Sequence, residues 1–230
     1  MKESIYSIPV SEVFEPRTGC PLCRLDNMLE ERAVEYILGA AMMEPDVRVV
    51  TNEKGFCPRH YRKMSEHGNK LPLALVLKSH LEHITGQIEK DAAAKKPVFG
   101  KGQLETKAIA EGCFICDEIQ SAREQILANT AHLFGREAEF RELFSTQEFL
   151  CFPHFAMLLD VACRALPSKS YQVFAKAAAA LTKKPLEQIL GDVTHFCNMF
   201  DYRNARPDAD WGNSRDSIPR AIGYLTGERR

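Results

Sequence analysis

Cys20-Pro21-Leu22-Cys23 is followed, after 33 intervening residues, by Cys57-Pro58-Arg59-His60; Cys113-Phe114-Ile115-Cys116 is followed, after 34, by Cys151-Phe152-Pro153-His154. The chain writes one ligand grammar twice: three cysteines and a histidine, in two close pairs and in the same order. A structural zinc site is a closed tetrahedron of thiolate and imidazole donors, drawn from pairs so spaced and tying two chain segments together. Cys20, Cys23, Cys57, His60, Cys113, Cys116, Cys151 and His154 therefore predict two zinc ions in Cys3His sites. Thiolate with imidazole suits zinc. An iron-sulfur cluster is the competing reading, and its usual all-cysteine ligation argues against it. Cysteines also serve as small buried hydrophobes, but two ordered sets whose gaps differ by one residue are poorly explained that way.

Outward from these pairs the periodicity is helical. After Cys23, the residues Leu25, Met28, Leu29, Arg32, Ala33, Tyr36, Ile37 and Ala40 recur at three- and four-residue intervals, the mark of an amphipathic helix. Pro21 and Pro58 suit first turns, where no amide partner is lost. Glu44 to Gly55, with Pro45 and alternating Val47 and Val49, reads as extended. A dozen extended residues at about 3.3 Å each return the chain over the roughly 30 Å that a 20-residue helix travels. That return predicts local pairing: Cys20 and Cys23 with Cys57 and His60 on one ion, Cys113 and Cys116 with Cys151 and His154 on the other.

A second helix is predicted from Cys57 to about Glu66, where positions three apart share a face and let Cys57 and His60 grip one ion. A third carries the apolar stripe Leu73, Leu77, Leu81, Ile84 and Ile88, and Pro97, Gly100 and Gly102 mark a linker. The second half repeats the plan through Ile119, Ala122, Ile126 and Leu127, then Arg136 to Phe144, then the Cys151 helix. Tyr171 to Arg203 predicts one long or one broken helix with Pro185 as the interruption. The expected fold is mostly α, a pseudo-duplicated helical bundle with a Cys3His site in each half: residues 1–96, a linker over 97–112, residues 113–203, and a C-terminal tail with a short helix over 204–230.

Hydrophobic content of 45% with 27% charged residues is that of an ordinary globular protein. The amino terminus lacks the apolar core of a signal peptide, and no apolar run reaches bilayer-spanning length. A cytoplasmic location is expected, where paired cysteines serve as ligands or redox thiols rather than disulfides. The formal charge of −1 falls to about −3 once six thiolates and two zinc ions are counted. This is no nucleic-acid footprint. The arginine-rich tail from Arg203 reads as a solvated terminus. Within it Trp211, Ile218, Ile222, Tyr224 and Leu225 suggest a terminal helix docked on the body, with a partner-binding segment as the sharper reading.

The segments Tyr6-Ser7-Ile8-Pro9-Val10-Ser11-Glu12-Val13-Phe14-Glu15, Gly19-Cys20-Pro21-Leu22-Cys23, Asn52-Glu53-Lys54-Gly55-Phe56-Cys57-Pro58-Arg59-His60 and Gly112-Cys113-Phe114-Ile115-Cys116 resemble an uncharacterised family of bacterial cytosolic proteins. The likeness spans most of the chain. It implies the duplicated cysteine and histidine pairs as ligands, and it implies no reaction.

Each set already supplies four ligands, which disfavours a catalytic zinc with an open position. Cys-Xaa-Xaa-Cys at a helix start lowers a thiol pKa, but bound metal suppresses redox chemistry and the strand-helix alternation of a thioredoxin-like domain is missing. His80 and His83, with Glu82 between them, can face one ligand on a helix, though the spacing is not that of a zinc protease; a polar helix edge is the simpler reading. His195 and Cys197 point in different directions, and Cys163 and Cys197 read as core cysteines. The first reading is a non-enzymatic zinc protein whose groove between lobes meets a protein partner. The second is a redox- or metal-responsive regulator, in which Cys113 and Cys116 are the pair expected to open. The third is an enzyme with a site between the lobes at His80, His83 or Glu82. With zinc as a static clamp, slow release from both sites under mild peroxide is expected.

Overall fold

The computed structural model describes residues 10–93, 104–201 and 209–227. Its helices are α1 (Val10–Phe14), α2 (Pro21–Leu38), α3 (Pro45–Lys54), α4 (Pro58–Glu66), α5 (Lys70–Ala93), α6 (Glu105–Glu111), α7 (Phe114–Arg136), α8 (Ala138–Ser145), α9 (Phe152–Ala165), α10 (Ser168–Asn198) and α11 (Ser217–Thr226), with short 3-10 turns at Ala40–Met43 and Gly212–Ser214. No strand occurs among the described residues. The fold is all α, as the periodicity predicts.

The stretch from Glu44 to Gly55 is helical, which corrects the extended reading. Pro45 occupies the first turn, Asp46 and Lys54 match the helix dipole at its two ends, and Gly55 ends α3 with φ 62°. These end signals outweigh a two-valine alternation. The consequence is geometric. Ten helical residues rise about 15 Å where ten extended ones cover about 33 Å, so the chain does not return to the start of α2. His60 meets α2 at Glu30 instead, its Nε2 3.0 Å from the carboxylate.

Two compact units result, and they do not follow the sequence halves. Among the described residues, the first contains residues 28–93 and 104–122, and the second residues 10–27, 123–201 and 209–227. Both divisions fall inside helices, α2 and α7. Residues 97–103 of the expected linker lie outside the described residues, and α6 occupies Glu105–Glu111 within the rest of it.

In the first unit Ala33, Val34, Ile37 and Leu38 of α2 pack with Phe56, Met64, Leu73, Val76, Phe114 and Ile115. The stripe predicted on α5 is rotated: Leu81 and Ile88 are exposed, while Leu73, Val76, His80 and Gln87 are buried. Polar side chains can take inward positions when hydrogen-bonded. The His80 ring meets the Asn52 carbonyl through Nδ1 at 3.1 Å, and the Gln87 amide donates to Asp91 Oδ1 at 3.0 Å.

The second unit is built on phenylalanines. Phe144 is fully buried, with ring centroids 5.7 Å from Phe14, 5.3 Å from Phe134 and 5.3 Å from Phe174. Helix α10 is continuous through Pro185. Proline has no N–H for the carbonyl four residues back, and that carbonyl, on Leu181, accepts instead from the backbone N–H of Leu150 at 3.4 Å. The substitute bond anchors the residue immediately before Cys151. The Tyr224 hydroxyl of α11 donates to the neighbouring Thr182 carbonyl, so the terminal helix docks as expected. Cys163 and Cys197 are exposed, which corrects their reading as core cysteines; each lies on the outer side of its helix.

Candidate metal centres

All four ligand pairs begin at helix starts. Cys20 and Cys113 immediately precede α2 and α7, Cys57 and Cys151 are the N-cap residues of α4 and α9, and the second member of each pair sits three residues on, in the first turn. Backbone N–H groups without intrahelical partners and the positive end of the helix dipole both favour thiolate there. Each centre is made of two such helix starts.

The pairing is crossed, against the local pairing predicted. In the first unit Cys57 and His60 of α4 meet Cys113 and Cys116 of α7; in the second, Cys20 and Cys23 of α2 meet Cys151 and His154 of α9. In each group the four donor atoms lie within 4.8 Å of one another. The short helical return through α3 is the physical reason for the exchange. The close pass is made by glycines: the Gly55 carbonyl accepts the Phe114 N–H at 3.0 Å, and a Cβ on Gly112 would stand 2.5 Å from the Lys54 carbonyl oxygen. That crossing sets Cys57 beside Cys113.

The dimensions fit one ion. A tetrahedron with metal–sulfur bonds of about 2.3 Å and metal–nitrogen bonds of about 2.05 Å has S···S edges of about 3.8 Å and S···N edges of about 3.6 Å. In the first unit Cys57 Sγ and Cys116 Sγ are 3.9 Å apart, and His60 Nδ1 lies 3.3, 3.1 and 3.5 Å from the sulfurs of Cys57, Cys113 and Cys116. In the second, Cys23 Sγ and Cys151 Sγ are 3.7 Å apart, and His154 Nδ1 lies 3.6, 3.4 and 3.1 Å from Cys20, Cys23 and Cys151.

Both histidines offer Nδ1 to the centre and turn Nε2 to a buried carboxylate, Glu30 at 3.0 Å for His60 and Asp26 at 3.3 Å for His154. This is the outer partner that fixes a ligating imidazole's tautomer and orientation. The carboxylates are themselves held: Glu30 by Arg59 Nε at 2.8 Å and Lys63 Nζ at 2.7 Å, Asp26 by Arg123 Nη1 at 3.0 Å. Glu30 lies seven residues past Cys23, and Arg123 seven past Cys116. Each Cys-Xaa-Xaa-Cys helix thus sends one charged residue, two turns on, to the histidine side of the centre it does not ligate.

Left to protons alone, these groups pull against one another. Burial opposes charge on both rings, yet Cys113 and Glu30 raise His60 to about 9, and Asp26, Cys151 and Cys20 raise His154 to about 11. Burial would raise the Cys113 thiol, but hydrogen bonds from His60 and from backbone N–H groups lower it to about 6, while partial desolvation of the Cys116 sulfur, despite the residue's exposure, and the adjacent Cys113 push Cys116 up to about 12. In the second unit, hydrogen bonds with Cys151 and its own pair partner send Cys20 down and Cys23 up. Each cluster calls for positive charge at its middle, which a divalent ion supplies to all four donors at once.

The centres differ in exposure. All four residues of the second are buried, and Gly227, which ends α11 with φ 80°, closes over them: a Cβ there would lie 3.7 Å from Cys151 Sγ and 3.8 Å from Cys23 Sγ. In the first, Cys116 is exposed and Cys57 half-buried. His80 joins neither group, and His80 with His83 forms no ligand cluster among the described residues. Glu82 pairs on the surface with Lys78.

Sequence reasoning missed Asp26, Glu30, Arg123 and Gly227. The two acids were detectable, since they stand four apart among the inward positions Leu22, Leu25, Leu29 and Ala33 of α2, where a charge is buried only if paired. Nothing local marks Arg123 or Gly227.

Comparison with known proteins lends a family and no activity. The chain is 21% identical over 186 residues to an uncharacterised 23.9 kDa protein encoded in the xynA 3′ region of Caldicellulosiruptor sp. (strain Rt8B.4), an alignment covering 80% of this chain and 84% of that one. No solved structure matches. Residues 1–230 match the model of a family described as "Family of unknown function (DUF6062)", and the chain belongs to that family.

Proposed function

We propose that this is a zinc protein with two structural Cys3His sites, Cys57, His60, Cys113 and Cys116 in the first unit and Cys20, Cys23, Cys151 and His154 in the second, acting as a non-enzymatic interaction protein. One observation carries the reading: each group presents four donors at tetrahedral edge lengths, with the imidazole braced from behind by a buried carboxylate. Four protein donors leave no open coordination position for substrate, which supports architecture over hydrolysis. A multi-iron cluster interposes several atoms between its ligands and is served poorly by donors this close. In each unit the ion joins two helix starts that come from distant parts of the sequence, so metal binding is folding free energy. A reducing, cytoplasmic setting belongs to the proposal, because it keeps the thiolates available, as does a protein partner.

Metal analysis with a visible absorption spectrum on protein purified without oxygen tests this. Two zinc ions per chain and no visible band are expected. A thiolate-to-iron absorption band, or fewer than two metal ions, would overturn it.

A further inference from the structure

We propose that Cys116, resolved by Cys57, is a site of oxidative modification by hydrogen peroxide or a comparable two-electron oxidant, and that this opens the first unit's centre alone. The inference rests on the zinc reading and adds to it. Its ground is an asymmetry between two centres of the same composition. The second is sealed, with Cys20, Cys23, Cys151 and His154 all buried. The first has one edge at the surface: Cys116 is exposed, Cys57 half-buried, and their sulfurs lie 3.9 Å apart. The other two donors of that centre, Cys113 and His60, are buried and 3.1 Å from each other, so an incoming oxidant meets only the Cys57–Cys116 edge. Oxidation follows thiolate character together with access, and ligation keeps both sulfurs as thiolates.

The chemistry balances. The Cys116 thiolate attacks one peroxide oxygen, the O–O bond breaks, and hydroxide leaves to take a proton, giving a sulfenic acid and water. The Cys57 thiolate then attacks that sulfur, the S–O bond breaks, and a second hydroxide is protonated. Two thiolates have lost two electrons, peroxide has gained them, and the products are one disulfide and two waters. Bringing sulfurs from 3.9 Å to a bond of about 2.05 Å requires side-chain rotation at two accessible residues. An ion held at this centre would be left with Cys113 and His60 alone, half its ligands, and its loss would uncouple the starts of α4 and α7.

The test uses the full chain loaded with two zinc ions, whose content is measured before any oxidant is added; that measurement alone decides the zinc reading. Peroxide is then added, released zinc is followed with a chromophoric chelator, and disulfides are mapped by mass spectrometry after alkylation. Exposed Cys163 and Cys197 report in the same sample that oxidant has reached free thiols. One zinc per chain is expected to leave at least tenfold faster than the other, with a Cys57–Cys116 disulfide, and to return on adding reductant and zinc. Release of both ions together, earlier oxidation of Cys20, Cys23 or Cys151, a Cys113–Cys116 disulfide, or retention of both ions while Cys163 and Cys197 oxidise would each overturn the inference and leave the zinc reading standing.

Discussion

Glu30→Gln removes one negative charge from a carboxylate shared by two cations and the ring of His60. Glu30 is buried, and it accepts from His60 Nε2 at 3.0 Å, Arg59 Nε at 2.8 Å, Arg59 Nη2 at 3.0 Å and Lys63 Nζ at 2.7 Å. Glutamine keeps the shape and one acceptor oxygen, but its amide nitrogen faces cations as a donor. Arg59 is 44% exposed and Lys63 29% exposed, so water replaces much of what those two lose and their share is discounted. The main loss is at His60, whose Nδ1 then binds metal with less electron density behind it and a looser ring. Loss of an outer-shell partner costs about 10–100-fold in metal affinity, or about 1.4–2.7 kcal/mol. Competition against a chelator of known affinity, resolved for two ions per chain, should show one site weakened by that factor and the other unchanged. Asp26→Asn should weaken the other site instead. Equal weakening of both sites by Glu30→Gln, or of neither, would refute the bracing role assigned to the carboxylate.

Crossed pairing makes a further prediction: Cys57→Ser and Cys116→Ser together should cost one zinc per chain, the same as either alone, whereas Cys57→Ser with Cys20→Ser should cost two, with metal content as the readout. Local pairing would give one zinc lost for Cys57→Ser with Cys20→Ser and two for Cys57→Ser with Cys116→Ser. Phe144→Ala, at the hub of the phenylalanine cluster, should destabilise the second unit by about 3–5 kcal/mol in denaturant unfolding; a change under about 1 kcal/mol would show that the cluster is not its core.

What could be read from sequence was the donor set and most of the helical structure. Four Cys-Xaa-Xaa-Cys or Cys-Xaa-Xaa-His pairs announce their donors, since a ligand pair three residues apart at a helix start needs only local geometry, and Pro21 and Pro58 mark two of those starts. The 3.6-residue period of α2 and α7 is likewise a property of short windows. Which pair meets which is a different kind of fact. It depends on how far the chain travels between pairs, and the conformation of one ten-residue stretch, α3, decided it: its valine alternation suggested a strand, while its end signals made a helix half as long. The roles of Glu30, Asp26 and Arg123 follow from that crossing, because a buried charge acquires its meaning only from the partner that tertiary structure brings to it. The same holds for exposure. Two centres with the same donor set differ because Gly227 lies over the sulfurs of one while Cys116 of the other stands at the surface, and no spacing of cysteines records what covers them.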